Sequence, residues 1–207
     1  MTGHSRDNLN AVRGYGPLDN IIAKLRHRIA YRKLKPYFPL KRCLDIGSGA
    51  YPAFLMGLDA GEKIGLEQSV SRELVNLAEK QGIRIVEHDV SQSDPLPSED
   101  NAFDVVTMLA VIEHIEPQRV PSLLSEISRI LKPGGTLMLT TPAAWTDLLL
   151  RTLAVLKLIS REEIDDHKDV FTRKKLRAHL TDAGFHEVQT GTFECFMNLW
   201  AIAKTVK

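Results

Sequence analysis

The sequence predicts an α/β fold with a doubly wound, seven-stranded mixed sheet, in which five parallel strands precede an antiparallel hairpin. Three observations support this prediction. Short apolar runs alternate with helical segments from residue 43 to residue 142, a pattern typical of a parallel sheet covered on both faces. A glycine-rich turn directly follows the first apolar run. The last two runs are too close together for a helical crossover, so we expect them to form the hairpin.

The elements are predicted in the following order. A helix over residues 18–34 combines a cationic surface with apolar residues at helical spacing, which are Leu18, Ile21, Ile22, Leu25 and Ile29. Strands are expected at 44–46, 63–67, 83–88, 103–109, 136–141, 186–192 and 196–203. Further helices are expected from residue 52 and at 71–81, 121–131, 145–159 and 172–183. The run from Lys132 to Gly135 is expected to separate a helix from the fifth strand.

The charge of the chain is unevenly distributed although its net value is only +1. Residues 1–42 contain ten Lys and Arg against two acidic residues, whereas residues 43–142 contain seven against fifteen. We therefore predict a basic helical extension over 1–42 and a main domain over 43–207. The extension is suited to phosphates or an anionic membrane, or else to the acidic middle of its own chain.

The cysteine content and the hydropathy pattern give expectations about location. The chain has two cysteines, Cys43 and Cys195, which form neither a metal-ligand cluster nor a disulfide framework. We expect no metal site and a reducing, cytoplasmic environment. The sequence shows no signal peptide and no apolar run long enough to span a membrane.

The glycine turn indicates a ligand site at the end of the first strand. Gly47 and Gly49 follow the strand, and Pro52 begins the next segment. Glu67 ends the second strand, where an acidic residue in nucleotide-binding folds accepts hydrogen bonds from ribose hydroxyls. Proline stands where a pyrophosphate-binding fingerprint has its third glycine, so we expect a ribose-containing ligand without a pyrophosphate. Glu67 alternatively serves as a solvated acid.

Six motifs in series carry a resemblance to a known family. They are 44-LDIGSG-49, Glu67, Asp89, 103-FDVV-106 preceded by Leu96-Pro97, 111-VIEHI-115 and 131-LKPGG-135. Over residues 43–142 the chain resembles class I S-adenosylmethionine-dependent methyltransferases, and most closely the small-molecule group that includes ubiquinone-biosynthesis enzymes. The resemblance implies a Rossmann-like fold, S-adenosylmethionine as cofactor, and a methyltransferase domain over 43–207.

The resemblance also implies roles for individual residues. Asp45, Gly47 and Gly49 would border the methionine part of the cofactor, with Glu67 and Gln68 at the ribose. Asp89 and Val90 would contact the adenine, and Leu109 and Ala110 would line the sulfonium side. Tyr51 stands where the family usually has a third glycine, so either the turn is wider or the tyrosine packs over the ligand. Asp89 alternatively caps the loop that follows it.

Methyl transfer requires positioning more than covalent help, but a hydroxyl acceptor also needs a general base. The sequence offers two candidates, His114 and His167, because histidine can take up a proton near neutral pH. His114 follows the fourth strand, and His167 lies in an acidic stretch. Each alternatively has a structural role only.

The acceptor is predicted by exclusion. The segment after the fourth strand lacks the Pro-Pro-aromatic motif of DNA amino-methyltransferases, and no cysteine is near it, so we expect no DNA substrate and disfavour RNA. We predict a small, hydrophobic or lipid-linked acceptor beneath a substrate cover over 145–180. The basic N-terminus and the apolar helix 145–159 would contact a membrane peripherally, or the helix would pack on the sheet or in a homodimer. The competing hypotheses are a non-catalytic cofactor-binding regulator and an RNA methyltransferase.

Overall fold

The computed structural model of the protein describes residues 19–92, 95–146 and 168–206. The strands are β1 (Leu40–Ile46), β2 (Ala60–Glu67), β3 (Ile83–Glu87), β4 (Phe103–Leu109), β5 (Leu131–Pro142), β6 (His186–Phe193) and β7 (Asn198–Lys204). The α-helices are α1 (Asp19–Leu34), α2 (Ala53–Met56), α3 (Arg72–Glu79), α4 (Val120–Ile130) and α5 (Arg173–Asp182).

All seven strands form one sheet with the order β3-β2-β1-β4-β5-β7-β6. The first five strands are parallel, and β7 lies antiparallel between β5 and β6. The predicted mixed sheet with a terminal hairpin is therefore confirmed. Because β1 lies between β2 and β4, the chain changes direction across the sheet at the carboxyl end of β1, which is where open α/β sheets bind ligands.

Each face of the sheet has its own core. Helices α1, α2 and α3 supply Leu34, Phe54 and Ala78 to one core, and α4 and α5 supply Leu124 and Leu176 to the other. Ser71 and Thr172 cap α3 and α5 by accepting a hydrogen bond from the amide three residues later, which satisfies amides that would otherwise lack a partner. The arrangement is the doubly wound fold that the sequence predicts.

Helix α1 packs against the sheet with the apolar residues of its second half. Ile29, Ala30 and Leu34 are buried, whereas Ile21 and Leu25 are 54% and 38% exposed. Among the apolar residues at helical spacing, Ile29 is thus buried, whereas Ile21 and Leu25 are not. The reason is that only the second half of the helix lies over the sheet.

The direction of α1 follows from its neighbours. The charge of Arg26 acts on Glu194, in the turn between β6 and β7, and this turn lies at the edge where the parallel strands end, called here the carboxyl edge. Beyond the other end of the helix, the ring of Tyr37 lies 5.9 Å from Nζ of Lys204, the last residue of β7. The helix therefore runs from the carboxyl edge to the amino edge, and its first turns extend beyond the core.

Several predicted boundaries differ from the structure: β1 and β2 begin earlier than predicted, at Leu40 and Ala60, and β7 begins later, at Asn198. Strand β5 begins at Leu131 rather than at residue 136, because the run Lys132 to Gly135 forms an irregularity within the strand, between the pairs Phe103–Leu131 and Val105–Thr136. The helix predicted from residue 52 is a single turn, Ala53–Met56. The predicted helix 145–159 lies outside the described residues except for residues 145 and 146. These two belong to a 3-10 turn, Ala144–Thr146, that follows β5.

None of the helices in the described ranges combines the length and the apolar character that crossing a bilayer requires.

Candidate functional site

The glycine turn after β1 forms hydrogen bonds to β2 through three successive backbone amides. Gly47 N and Ser48 N donate to the carbonyl oxygen of Leu66 at 2.9 and 3.2 Å, and Gly49 N donates to Oε2 of Glu67 at 2.7 Å. A phosphate-binding turn instead directs its amides at the ligand. These three amides are therefore not available to a pyrophosphate, which supports the expectation of a ligand without one.

The two glycines of the turn have different surroundings. Both have a positive φ, +73° at Gly47 and +74° at Gly49, which favours glycine. A Cβ built on Gly47 would lie 2.4 Å from Cγ2 of Val111, whereas a Cβ on Gly49 would have no atom within 4 Å. Gly47 thus allows the segment after β4 to pack on the turn, and Gly49 borders open space in which a ligand can lie.

Glu67 is positioned by the turn and by its own neighbour. Its side chain is buried, and besides the bond from Gly49 it accepts a hydrogen bond from the amide of Gln68 at 3.2 Å. The carboxylate thus lies at the carboxyl end of β2 beside the glycine turn. A carboxylate has more acceptor sites than these two bonds use, so it can also accept from hydroxyl groups of a ligand.

Asp45 is buried one strand away and is coupled to Thr107. The Thr107 hydroxyl donates to Oδ1 of Asp45 at 2.5 Å, a contact set by the register between β1 and β4. The pKa of Asp45 is raised to about 7, mainly by burial and in smaller part by the charge of Glu67, while the hydrogen bond from Thr107 opposes the shift. Asp45 therefore holds its proton more readily than Asp89, whose pKa is lowered.

Asp89 lies after β3, and its carboxylate accepts hydrogen bonds from several amide groups. It accepts hydrogen bonds from the backbone of Ser91 at 2.9 Å and from Nε2 of Gln92 at 2.9 Å, and Nε2 of Gln68 lies at 3.4 Å. Burial alone would raise the pKa of Asp89, but the bonds from Ser91 and Gln92 outweigh it and lower the pKa. The predicted loop-capping role and a place beside the ligand are both compatible with this geometry.

The other predicted cofactor residues line the same edge. Val90 is half-buried and borders a cleft with Leu96 and Leu123. Leu109 ends β4 and is buried, and Ala110 has a φ of +58° while its amide donates to the carbonyl oxygen of Thr140 at 3.0 Å. The left-handed conformation of Ala110 turns the chain sharply where β4 ends.

Tyr51 extends from the glycine turn toward solvent. Its side chain is 47% exposed, although its carbonyl oxygen accepts from the amide of Ala53 at 2.7 Å. The ring therefore takes little part in the core and is placed beside Gly49. A ring packed over the ligand, one of the two predicted alternatives, is compatible with this position.

Of the two predicted bases, the structure describes one. His114 is half-buried and ends a 3-10 turn, Ile112–His114, that follows β4 at the carboxyl edge. His167 lies outside the described residues. The preceding residue, Glu113, is buried, and its carbonyl oxygen accepts from the amides of Lys168 at 2.8 Å and Asp169 at 3.2 Å, so this turn anchors the chain that leads into α5.

The sequence reasoning missed Glu194, a half-buried acid at the same edge. Oε2 of Glu194 accepts a hydrogen bond from Asn198, and Oε1 is buried without a partner in the described part of the chain. Burial raises the pKa of Glu194, although the charge of Arg26 and the bond from Asn198 oppose this. No local pattern marks the residue, because it lies between two strands and acquires its surroundings only from α1 and the hairpin.

Asp104 and Lys132, two residues of the sequence motifs, lie at the opposite edge of the sheet and stabilise the fold. Asp104 accepts from the amides of Lys41 at 3.0 Å and Arg42 at 2.7 Å, and from Nζ of Lys132 at 2.6 Å. Burial alone would raise the pKa of Asp104, but the bonds from Lys132 and Arg42 lower it. Both motif residues are thus structural, remote from the carboxyl edge.

The sequence matches a family described as a methyltransferase domain over residues 18–190. Among curated relatives, an uncharacterized protein of Methanocaldococcus jannaschii is 31% identical over 106 residues, 51% of this chain and 47% of that protein. The tRNA N(3)-methylcytidine methyltransferase Mettl2 of Drosophila melanogaster is 31% identical over 103 residues, 45% of this chain and 30% of that protein. The chain thus matches less than half the length of these relatives.

Among solved structures, the fold is similar to that of a SAM-dependent methyltransferase of Thermotoga maritima. The TM-score is 0.62 at 23% identity, covering 89% of this chain and 94% of the other. At this identity the likeness concerns the fold.

Proposed function

The chain belongs to the methyltransferase-domain family, as a class I S-adenosylmethionine-dependent methyltransferase, and on that premise we propose that it methylates a small hydrophobic or lipid-linked acceptor. The observation that carries the proposal is the array at the carboxyl edge. There the amides of the glycine turn donate to Leu66 and Glu67 of β2, while Glu67 ends β2 and Asp89 follows the adjacent strand β3.

The chemistry of this array fits S-adenosylmethionine. The cofactor brings a ribose, an adenine and a positively charged sulfonium. Asp45, Glu67 and Asp89 provide three carboxyl groups along the edge, and their hydrogen-bond partners in the described ranges are amides and a hydroxyl rather than Lys or Arg. An acidic site of this kind favours a cationic ligand and disfavours a phosphate. Glu67 would hold the ribose, and Asp89 with Val90 the adenine.

Bound S-adenosylmethionine supplies a methyl group on a good leaving group, so the chain contributes mainly orientation. Leu109 and Ala110 would border the reacting methyl group. The proton of a hydroxyl acceptor would pass to a base at the same edge. His114 and Glu194 are the described candidates, and both are half-buried.

Aromatic side chains at the carboxyl edge support a hydrophobic acceptor. Trp145 follows β5 and is 59% exposed, and Phe196 lies between β6 and β7 and is 69% exposed. Nε1 of Trp145 donates to the carbonyl oxygen of Phe196 at 3.1 Å, so the two residues form one aromatic border. Large apolar groups exposed beside a site favour an apolar partner.

A second candidate is RNA methylation. It is favoured by the tRNA methyltransferase among the relatives, of which the chain covers 30%, and by the basic N-terminal extension. A nucleic-acid substrate would bind with a steep dependence on salt, whereas a small hydrophobic acceptor would not. A non-catalytic regulator, the third alternative, would bind the cofactor and transfer no methyl group.

The test has two stages. Calorimetric titration with S-adenosylmethionine and with NAD should give saturable binding of S-adenosylmethionine only. This binding should be lost in Glu67→Ala. It should be kept in the control Glu87→Ala, because Glu87 is the exposed register partner of Glu67 on β3. Transfer of a labelled methyl group is then measured in lipid extract and in total RNA. Labelled lipid supports the proposal, and labelled RNA supports the second candidate. Cofactor binding without transfer to either would favour the regulator, and absence of cofactor binding would refute all three.

A further inference from the structure

Large apolar side chains that are exposed cluster at the carboxyl edge. In the described part of the chain they are Ile21, Leu25, Tyr51, Trp145, Val170, Phe196 and Val206. Tyr51 follows β1 and Trp145 follows β5, while Val170 precedes Phe171, which forms a bridge with Ala143 beyond β5. Together with Phe196 and with Ile21 and Leu25 of α1, these residues lie at the edge of the sheet that holds the proposed cofactor site, and they are called here the apolar border. Only Val206, near the chain end, lies elsewhere.

Helix α1 adds positive charge to this apolar border. At about 100° per residue, Ile21, Leu25, Lys24, Arg28 and Arg32 fall within an arc of about 100°. All five are exposed, whereas Ala30 and Leu34 on the opposite side of the helix, and Ile29 at the flank of the arc, are buried in the core. The outward arc therefore combines two aliphatic residues, near the carboxyl edge, with three cations.

The three cations of this arc have no ion-pair partner among the described residues. Lys24, Arg28 and Arg32 take part in no ion pair within the described ranges. Positive charge alone would suit nucleic acid or lipid headgroups equally. The aliphatic residues distinguish the two, because Ile21 and Leu25 gain nothing from phosphates but do gain from hydrocarbon.

We propose that the outward arc of α1 and the apolar border form a single face that binds an anionic membrane surface and turns the cofactor site toward the bilayer. Basic and aliphatic residues on one helix are typical of segments that lie in the membrane interface. This inference rests on the proposed function, since a lipid-linked acceptor would be presented at that surface. It assigns membrane contact to the described residues of α1 and the sheet edge.

The experiment uses the full chain with substitutions, because Ile29, Ala30 and Leu34 make α1 part of the core and its deletion would disturb the fold. Co-sedimentation is measured with phosphatidylcholine vesicles, with and without phosphatidylglycerol. The variants are Lys24→Glu with Arg28→Glu, and Ile21→Ser with Leu25→Ser. The matched control is Lys80→Glu with Arg84→Glu, two exposed cations at the β3 end of the sheet.

The unmodified protein should bind vesicles that contain phosphatidylglycerol and bind neutral vesicles weakly. Reversing the two charges of α1 should lower the partition coefficient by at least about tenfold. The Ile21→Ser, Leu25→Ser variant should lower the partition coefficient by at least about fivefold and should lose the vesicle binding that persists at high salt. The control pair should bind within about twofold of the unmodified protein.

Equal binding to neutral vesicles, or normal binding by the charge-reversed α1 variant, would overturn the proposal. So would RNA binding that depends on Lys24 and Arg28 without vesicle binding, or a dimer in equilibrium sedimentation that dissociates in the Ile21→Ser, Leu25→Ser variant. Calorimetry with S-adenosylmethionine, without vesicles, distinguishes failure of the membrane-binding face from failure of the proposed function. Cofactor binding without vesicle binding refutes the surface alone, and vesicle binding without cofactor binding refutes the proposed function.

Discussion

The amide of Gly49 donates a 2.7 Å hydrogen bond to the carboxylate of Glu67, 18 residues later in the chain. This bond joins the turn after β1 to the end of β2, so the two features that sequence motifs treat separately are one structural unit. Because Gly49 has open space beside its Cα and Glu67 is buried, a ligand at the turn meets a carboxylate that is already oriented. Preorganisation of this kind reduces the entropic cost of binding.

Replacing Glu67 by Gln should weaken cofactor binding. The amide keeps the size of the side chain but removes the negative charge and replaces one acceptor oxygen by an NH2 donor, so we expect the Kd for S-adenosylmethionine to rise at least about tenfold, or about 1.4 kcal/mol. Glu87→Gln is the matched control, because Glu87 is the register partner of Glu67 on β3 and is exposed. Calorimetry checks both variants, and equal affinities would contradict the assigned role of Glu67.

Asp45 should make stability depend on pH in a direction opposite to that of most acids. Burial raises its pKa from 3.8 to about 7, so the folded state binds a proton more tightly than the unfolded state. Its contribution to stability is therefore complete below about pH 4 and is lost as pH rises to about 7, by up to about 1.4 kcal/mol for each pH unit. Asp45→Asn cannot titrate and should lack this loss.

Urea denaturation from about pH 5 to pH 8 measures the effect. The free energy of unfolding of the unmodified protein, relative to Asp45→Asn, should fall across this range. Asp89→Asn provides the control. Because the pKa of Asp89 is lowered, its contribution to stability is lost only in acid. The difference in the free energy of unfolding between the unmodified protein and Asp89→Asn should therefore stay constant from about pH 5 to pH 8. A level difference for Asp45→Asn would show that Asp45 is ionised throughout.

The sheet could be predicted from the sequence because each of its strands is marked locally. Phe103–Leu109 is a continuous apolar run, and its predicted bounds are those of the structure. The short spacing of the last two runs is enough to predict the hairpin. The two capping residues Ser71 and Thr172 are also local signals, since each precedes its own helix.

The surface of α1 and the role of Glu194 could not be predicted in the same way. The apolar spacing of Ile21 and Leu25 indicates an amphipathic helix, but burial depends on how far the helix extends beyond the sheet, which is a tertiary property. Glu194 lies between strands and becomes half-buried only when Arg26 and Asn198 are brought together. Motif order likewise cannot separate Asp104, which holds the amino edge, from Glu67, which lies at the carboxyl edge.

Replacing Gly47 by Ala should destabilise the fold through two additive causes. The left-handed φ of +73° would cost about 1–2 kcal/mol, and the contact with Val111 at 2.4 Å would cost about 1–3 kcal/mol more. Gly82→Ala is the control, because Gly82 has a φ of +65° with no atom near its Cβ position. It should show the backbone cost alone.

The second substitution Val111→Ala should recover most of the contact cost in Gly47→Ala, because it removes the methyl group that the new Cβ would meet. Urea denaturation of the unmodified protein, the two single variants and the double variant gives the coupling energy. A coupling near zero would mean that the turn and the segment after β4 are not packed together as described.

Replacing Glu194 by Gln tests whether this acid takes up the acceptor's proton. If it does, kcat should fall by about 100-fold or more while the Kd for S-adenosylmethionine stays unchanged. Because burial raises the pKa of Glu194, activity of the unmodified enzyme should rise with pH through that raised pKa, and this limb should be absent in the variant. Glu187→Gln, on the exposed part of the same hairpin, is the control. The rise of activity with pH could instead persist in Glu194→Gln and be absent in His114→Gln. In that case the base is His114, and Glu194 serves only to hold Asn198.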